Sequence, residues 1–324
     1  MPRPLRGGCE AHLVTVGTSL LANTLRLLRR ALASGSTQAR LATPLGSVTV
    51  DFSQLGGPEA LREAEQCLAA CADPARLDEG ECRRCTSGDT AARRAAELAL
   101  RSEPYMASAE FNAARWRLGV PPRCPSGVVF VLYASDTIAG QLAAETLGGY
   151  LEGIGCQARV EVVKGLGHRL WEGVAELARR IICHTDCLAA QGCRVYVNPT
   201  GGFKPESAAA VLAAGLAGAT AAYYVHEAMR EPVFIPFPPL VVDARQASRL
   251  LHGAAVLETR GSVCQGEVDD QLLALAVQTG AARPAAGQPG CYSVDQGMAR
   301  GLTRLLRVVL GAEGCGPGCP ALER

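Results

Sequence analysis

The chain has 324 residues, a formal net charge of +1 and 48 % apolar residues, enough for one large domain and a small one around a sizeable core. A near-neutral charge excludes the broad electrostatic grip by which proteins track duplex nucleic acid, so a nucleotide ligand would be small and held in a pocket. The 14 cysteines come without a charged-then-apolar leader, which argues against a secreted disulfide scaffold and for a cytoplasmic protein with mostly reduced thiols.

Residues 13–16 (Leu-Val-Thr-Val) form an apolar run into Gly17-Thr18-Ser19 and a Leu-rich helix at about residues 22–33 that carries Asn23. Residues 35–124 lack clean strand periodicity, hold several helix-like stretches and read as an insertion. Within it Cys67, Cys71, Cys82 and Cys85 have paired short spacings that suit a tetrahedral zinc site. The C-x3-C half is looser than the usual C-x2-C, and reduced cysteines on a helix would look the same. Cys183, Cys187 and Cys193 read as core or surface thiols.

From residue 127 the pattern is regular, with strands at 128–133, 158–163, 195–197 and 219–225 alternating with helices at 138–151, 170–183 and 205–216. Strands alternating with helices of this length predict right-handed crossovers and an α/β fold with a mostly parallel sheet flanked by helices. The uncharged run 208–225 is rich in alanine and is broken by Gly215 and Gly218, so it predicts a buried helix and a strand rather than a membrane span. Residues 232–242 are extended and Pro-rich, suited to a sheet edge.

Beyond Asp243 the pattern changes to helices at 245–257 and 268–279, a segment 280–293 that suits a β-hairpin, and a last helix at 296–310. The chain therefore divides into residues 1–243 and a small helical, winged-helix-like domain, residues 244–324, whose Gly- and Cys-rich tail at 314–320 is expected to be mobile.

Two strand-to-helix corners carry the chemistry. Asn198-Pro199-Thr200-Gly201-Gly202-Phe203-Lys204-Pro205-Glu206 follows an apolar strand and opens an Ala-rich helix, which turns helix-start N–H groups outward beside a lysine. The Gly17-Thr18-Ser19 corner is of the same kind, and two such corners on parallel strands share the carboxyl edge where open α/β sheets bind ligands. The Thr200–Lys204 corner lacks the loop length and the hydroxyl after lysine of a P-loop. Gly165-Leu166-Gly167-His168 begins like a dinucleotide fingerprint but has Leu170 at the third glycine. No G-x-S-x-G or H-E-x-x-H occurs. What remains is a phosphate site of hydroxyls, amides and one lysine. Such a site cleaves RNA without a metal or any other cofactor when the substrate supplies its own ribose 2′-OH and only has to be turned into line.

VGTSLLAN at 16–23, ASDT at 134–137, VKGLGH at 163–168, NPTGGFKPE at 198–206, and YYVHE followed by PVFIPFPPL resemble the CRISPR-associated Rossmann-fold sensor domains, in particular the ring nucleases. The resemblance covers most of residues 11–243 apart from the insertion. It implies a Rossmann-like fold and a homodimer binding cyclic tetra-adenylate across its two-fold axis. The ring would be cleaved without metal to linear di-adenylate with a 2′,3′-cyclic phosphate, which switches off the type III antiviral response. It further implies that Ser19 orients the attacking ribose and Lys204 stabilises the transition state. Gly17, Thr18, Asn23, Ser135, Asp136, Thr200, Gly201 and Gly202 would then line the ligand platform. Asn198 and the loop 165–169 with Gly167 and His168 complete that surface, the loop as a lid and His168 as a binding or surface residue rather than a general acid. Neither membrane nor stable duplex nucleic-acid binding is expected.

Relatives of the sensor domain include ring-activated ribonucleases with a HEPN domain marked by Arg, four to six residues, then His, a spacing that Arg245 and His252 match. A ligand-gated winged-helix regulator is the other alternative. Its recognition helix would present Arg300, Arg304 and Arg307, but a solvated basic face looks identical, and a winged helix used for dimerisation, common in the group the chain resembles, is the favoured role.

Overall fold

A computed structural model describes residues 8–43, 46–72, 79–86, 88–225, 231–238, 240 and 243–315. The first strand, β1 (Glu10–Thr15), leads into α1 (Ser19–Ala33), a hairpin of β2 (Gln38–Thr43) and β3 (Gly46–Asp51), and the helices α2 (Pro58–Ala72), α3 (Glu79–Thr86), α4 (Ala91–Ser102), α5 (Pro104–Ala107) and α6 (Ala109–Leu118). The chain then alternates through β4 (Val128–Ser135), α7 (Ile138–Gly153), β5 (Gln157–Val163), α8 (Leu170–Ala190), β6 (Arg194–Asn198), α9 (Lys204–Leu216), β7 (Ala221–Val225) and β8 (Pro232–Pro236).

These strands form one six-stranded sheet in the order β5-β4-β1-β6-β7-β8, parallel except for β8 at one edge. β1 lies between β4 and β6, so the chain runs outward from it in one direction to β5 and later returns to its other side. Open α/β sheets bind their ligands at the carboxyl ends of the strands beside such a reversal. β1 is buried along its whole length, and its alternate residues feed opposite faces. Val14 joins the core under α1, α7 and the helices of the insertion, whereas Ala11 and Leu13 join the core under α8 and α9.

The insertion differs from its expectation in two ways. It contains the β2–β3 hairpin, where Ala39 and Val50 are buried, too brief an alternation to stand out. It is also no appendage, because Leu61, Leu68, Leu100 and Phe111 belong to the main core.

The C-terminal part is α10 (Ala244–Thr259), β9 (Ser262–Cys264), α11 (Asp270–Gln278), β10 (Ala282–Pro284), β11 (Cys291–Val294) and α12 (Gln296–Val309), with a three-stranded antiparallel sheet β10-β11-β9 and its own core of residues 254–302. The strand β9, which now completes that sheet, is too short to read from sequence. α12 is no free recognition helix. Val308 joins the core beneath α8, Arg304 bonds Glu176 of α8 at 2.6 Å and Glu313 at 3.0 Å, and Arg307 bonds Glu258 at 2.8 Å. Burial opposes ionisation of Glu176, but hydrogen bonds from Arg179 and Arg180 and the charge of Arg304 hold its carboxyl down at about 2. Only Arg300 of the three arginines is exposed.

The cysteines correct the expectation of reduced thiols. Cys9–Cys193, Cys71–Cys82, Cys124–Cys156, Cys183–Cys315 and Cys264–Cys291 are disulfides, and no cysteine is free among the described residues. Cys67 and Cys187 are disulfide-bonded as well. Such bonding belongs to oxidising compartments and to intracellular proteins of hyperthermophiles. It also ties the start of the tail, at Cys315, to α8; residues 316–320 of that segment lie outside the described residues, as do His226, Glu227, Pro239, Val241 and Val242. Among the described residues no helix is long and apolar enough to cross a membrane.

Candidate functional site

The two corners meet. β1 and β6 are neighbours in register, Val14 opposite Asn198, so the turns that leave them lie side by side. Thr15 Oγ1 donates to the Gly201 carbonyl at 2.6 Å. The backbones approach so closely that a Cβ on Gly17 would lie 2.7 Å from the Gly202 nitrogen, and one on Gly201 would lie 2.4 Å from the Gly17 nitrogen and 2.5 Å from the Thr15 oxygen. Gly17 and Gly201 are thus required by contact between the two turns. Gly202 and Lys204 are exposed, as is Thr18, while Gly17, Ser19 and Thr200 are half-buried and Gly201 is buried.

A third partner comes from the insertion. Glu110, in the first turn of α6 and 1 % exposed, accepts the Gly17 N–H at 2.9 Å, the Ser19 hydroxyl at 2.7 Å and the Ser108 hydroxyl at 2.7 Å. Ser108 caps α6 by accepting the Phe111 N–H, and Ser19 accepts the Ala109 N–H at 3.1 Å. Asn198 is fully buried, its amide donating to the Glu110 carbonyl at 2.9 Å and its oxygen accepting from Thr200 at 2.5 Å. Asn23 likewise donates to the carbonyls of Met106 and Ala107. Both therefore brace the insertion against the corners. Sequence reasoning missed Glu110 entirely, because nothing in its local pattern distinguishes it from a surface glutamate.

α9 starts at Lys204, with Pro205 where a missing N–H costs nothing. Glu206 reaches back to accept the Phe203 N–H at 3.0 Å, its half of a capping box. Burial pushes its carboxyl up to about 7 against the opposing effect of that amide. An ordinary glutamate in the unfolded chain titrates near 4.5, so between these values the folded state holds the extra proton. Stability therefore falls as pH rises through that window and is lowest above it. Glu206→Gln, which keeps the acceptor, is expected to flatten this slope and to raise the melting temperature at pH 8 by a few degrees, as thermal unfolding at pH 5 and pH 8 would show.

One strand away, at the end of β4, Ser135 pairs with Thr137, which caps α7. Asp136 accepts the N–H groups of Gly165 at 2.7 Å and Gly167 at 2.8 Å. Burial opposes its ionisation, but these amides outweigh it and hold the carboxyl below its ordinary value. The loop 165–169, expected as a lid, is thus pinned by Asp136 and by buried Leu166, while His168 is exposed at its tip.

The four-cysteine zinc site is not formed. Cys71 and Cys82 bond each other, Cys67 is disulfide-bonded, and a thiolate is what zinc requires. The Cys85 side chain lies outside the described residues. Among the described residues no group of three or more His, Cys, Asp or Glu could hold a metal ion. Arg245 and His252 are both exposed on α10.

Residues 105–238 match the model of a CRISPR-associated protein family, Cas_APE2256. The matched stretch starts at α5, includes Glu110, Asp136 and the whole NPTGGFKPE corner, and ends just after β8. The Gly17-Thr18-Ser19 corner and the C-terminal part lie beyond it.

Proposed function

We propose that the protein is a ring nuclease of a type III CRISPR system, a homodimer that binds cyclic tetra-adenylate and cleaves it without a metal ion. The observation that carries this reading is the contact between the two corners. It sets the half-buried Ser19 and the exposed Lys204 on one edge of the sheet, and the lysine corner falls inside the stretch similar to a CRISPR-associated family.

The chemistry asks little of the protein. The ribose 2′-oxygen forms a bond to its own 3′-phosphorus and the P–O5′ bond breaks. The departing 5′-oxygen takes up a proton, and the 2′-OH proton passes to solvent. Two such cuts turn the ring into two linear di-adenylates with 2′,3′-cyclic phosphates. Ser19 would hold the attacking ribose, and Lys204 with the amides at the start of α9 would meet the negative charge that builds on the phosphoryl oxygens. Phe203, 63 % exposed beside Lys204, offers a face on which an adenine can stack. Phe203→Ala is expected to weaken ring binding by about 1–3 kcal/mol with thermal stability unchanged, which titration calorimetry would read.

The direct test is incubation with cyclic tetra-adenylate in excess EDTA, with products resolved by liquid chromatography. Linear di-adenylate with a cyclic phosphate end is expected. Tight binding without conversion would overturn the enzyme and leave a sensor whose output lies in residues 244–324.

A further inference from the structure

Glu110 places a buried carboxylate where an anion would otherwise bind, on the Gly17 amide. A carboxylate that deep is tolerated only when hydrogen-bonded, and this one is built in: Oε1 takes the Gly17 N–H, and Oε2 takes the hydroxyls of Ser19 and Ser108. The consequence falls on Ser19. A serine hydroxyl has one proton and two lone pairs. The proton is given to Glu110 and one lone pair receives the Ala109 N–H. A single acceptor position is left on a residue that is only half-buried. That position can bond a ligand hydroxyl but not an ionised phosphate oxygen, which has no proton to give.

We propose that Glu110 is the positioning residue of this site: by holding the Ser19 proton it makes Ser19 an obligatory acceptor, so that the serine selects a ribose 2′-OH and orients its oxygen. The inference rests on the ring-nuclease reading for its ligand, yet its signature is a preference in binding rather than a rate. A phosphate approaching Ser19 is refused, and a ring without 2′-hydroxyls loses the bond.

The test compares equilibrium binding of cyclic tetra-adenylate and of its all-2′-deoxy counterpart, on ice before conversion sets in. The wild type is expected to favour the ribose ring by about tenfold or more, the worth of one good hydrogen bond. Glu110→Gln keeps the shape and can still accept the Gly17 N–H. It turns an N–H2 donor on Ser19, whose own proton then points outward. A 2′-OH can still accept that proton, but so can a ring phosphate, so the variant should bind the deoxy ring more tightly than wild type does, a negative charge having left the corner, and its preference for the ribose ring should shrink. Cleavage of the ribose ring should slow. A merely structural Glu110 would instead weaken both rings together and keep their ratio. Wild type binding both rings equally, or Glu110→Gln keeping the ratio, overturns the assignment. Ser19→Ala provides the same comparison should Glu110→Gln fail to fold: a levelled ratio supports the assignment, and an unchanged one overturns it. Failure of the wild type to bind either ring would bring down the ring-nuclease reading itself, and the assignment with it.

Discussion

Replacing Lys204 by alanine is expected to slow conversion of cyclic tetra-adenylate by about 10²- to 10³-fold, the loss seen when one donor aimed at a developing charge is removed. The loss should fall on the rate of the bound ring more than on affinity, because a charge that builds only in the transition state rewards the lysine only there. Thermal stability should not move: Lys204 is exposed and no ion pair holds it among the described residues. Lys204→Arg keeps the charge but spreads it over a planar fork, so it should restore binding and only part of the rate. Single-turnover measurements in EDTA separate the two quantities. An unchanged rate in Lys204→Ala would remove the lysine from the chemistry.

Gly201→Ala is the second large effect, and it acts through the fold of the site. The added methyl would sit 2.3 Å from Glu110 Oε1, 2.4 Å from the Gly17 nitrogen and 2.5 Å from the Thr15 oxygen. Two of these are backbone atoms of the neighbouring corner, at the end of the most buried strand, so they cannot swing aside as a side chain could. Overpacking of this kind costs about 1–3 kcal/mol or more. The expected result is a melting temperature lowered by several degrees together with loss of ring binding, since the corners must separate to admit the methyl. Gly149→Ala on α7, where the methyl meets nothing within 4 Å, is the control and should be neutral or slightly stabilising. Gly201→Ala with unchanged stability and binding would show that the two corners are not in the contact described.

The two corners illustrate how far local pattern reaches. A strand of Val and Tyr that ends in Asn-Pro-Thr-Gly-Gly and enters an alanine-rich helix has few conformations open to it, and the same holds for Val16-Gly17-Thr18-Ser19. The resulting edge, with Ser19 and Lys204 on it, was therefore legible, as were the alternating strands and helices from Val128 to Val225. The roles of Asn23 and Asn198 were not legible. Each sits in a corner as a ligand-binding residue would, but its side-chain N–H2 donates to backbone carbonyls of the insertion. The arginines of α12 left the role of that helix open, because a basic stripe looks alike whether solvent or, as for Arg304 and Arg307, Glu176 and Glu258 faces it.

The sequence by itself determined the class of the sheet, the position of the two glycine corners at its carboxyl edge and the change of pattern after Asp243. These follow from side-chain period and turn chemistry, which are settled within a few residues. Only the tertiary structure decided what fills the corners and what pairs with what. Glu110 reaches Ser19 across 91 positions of chain, Cys9 reaches Cys193 across 184, and Asp136 closes on a loop 29 and 31 positions away. Such partners are chosen by the packing of whole helices against the sheet, where the burial of many apolar side chains outweighs any local preference. A carboxylate carried on one of those helices goes where the core sends it.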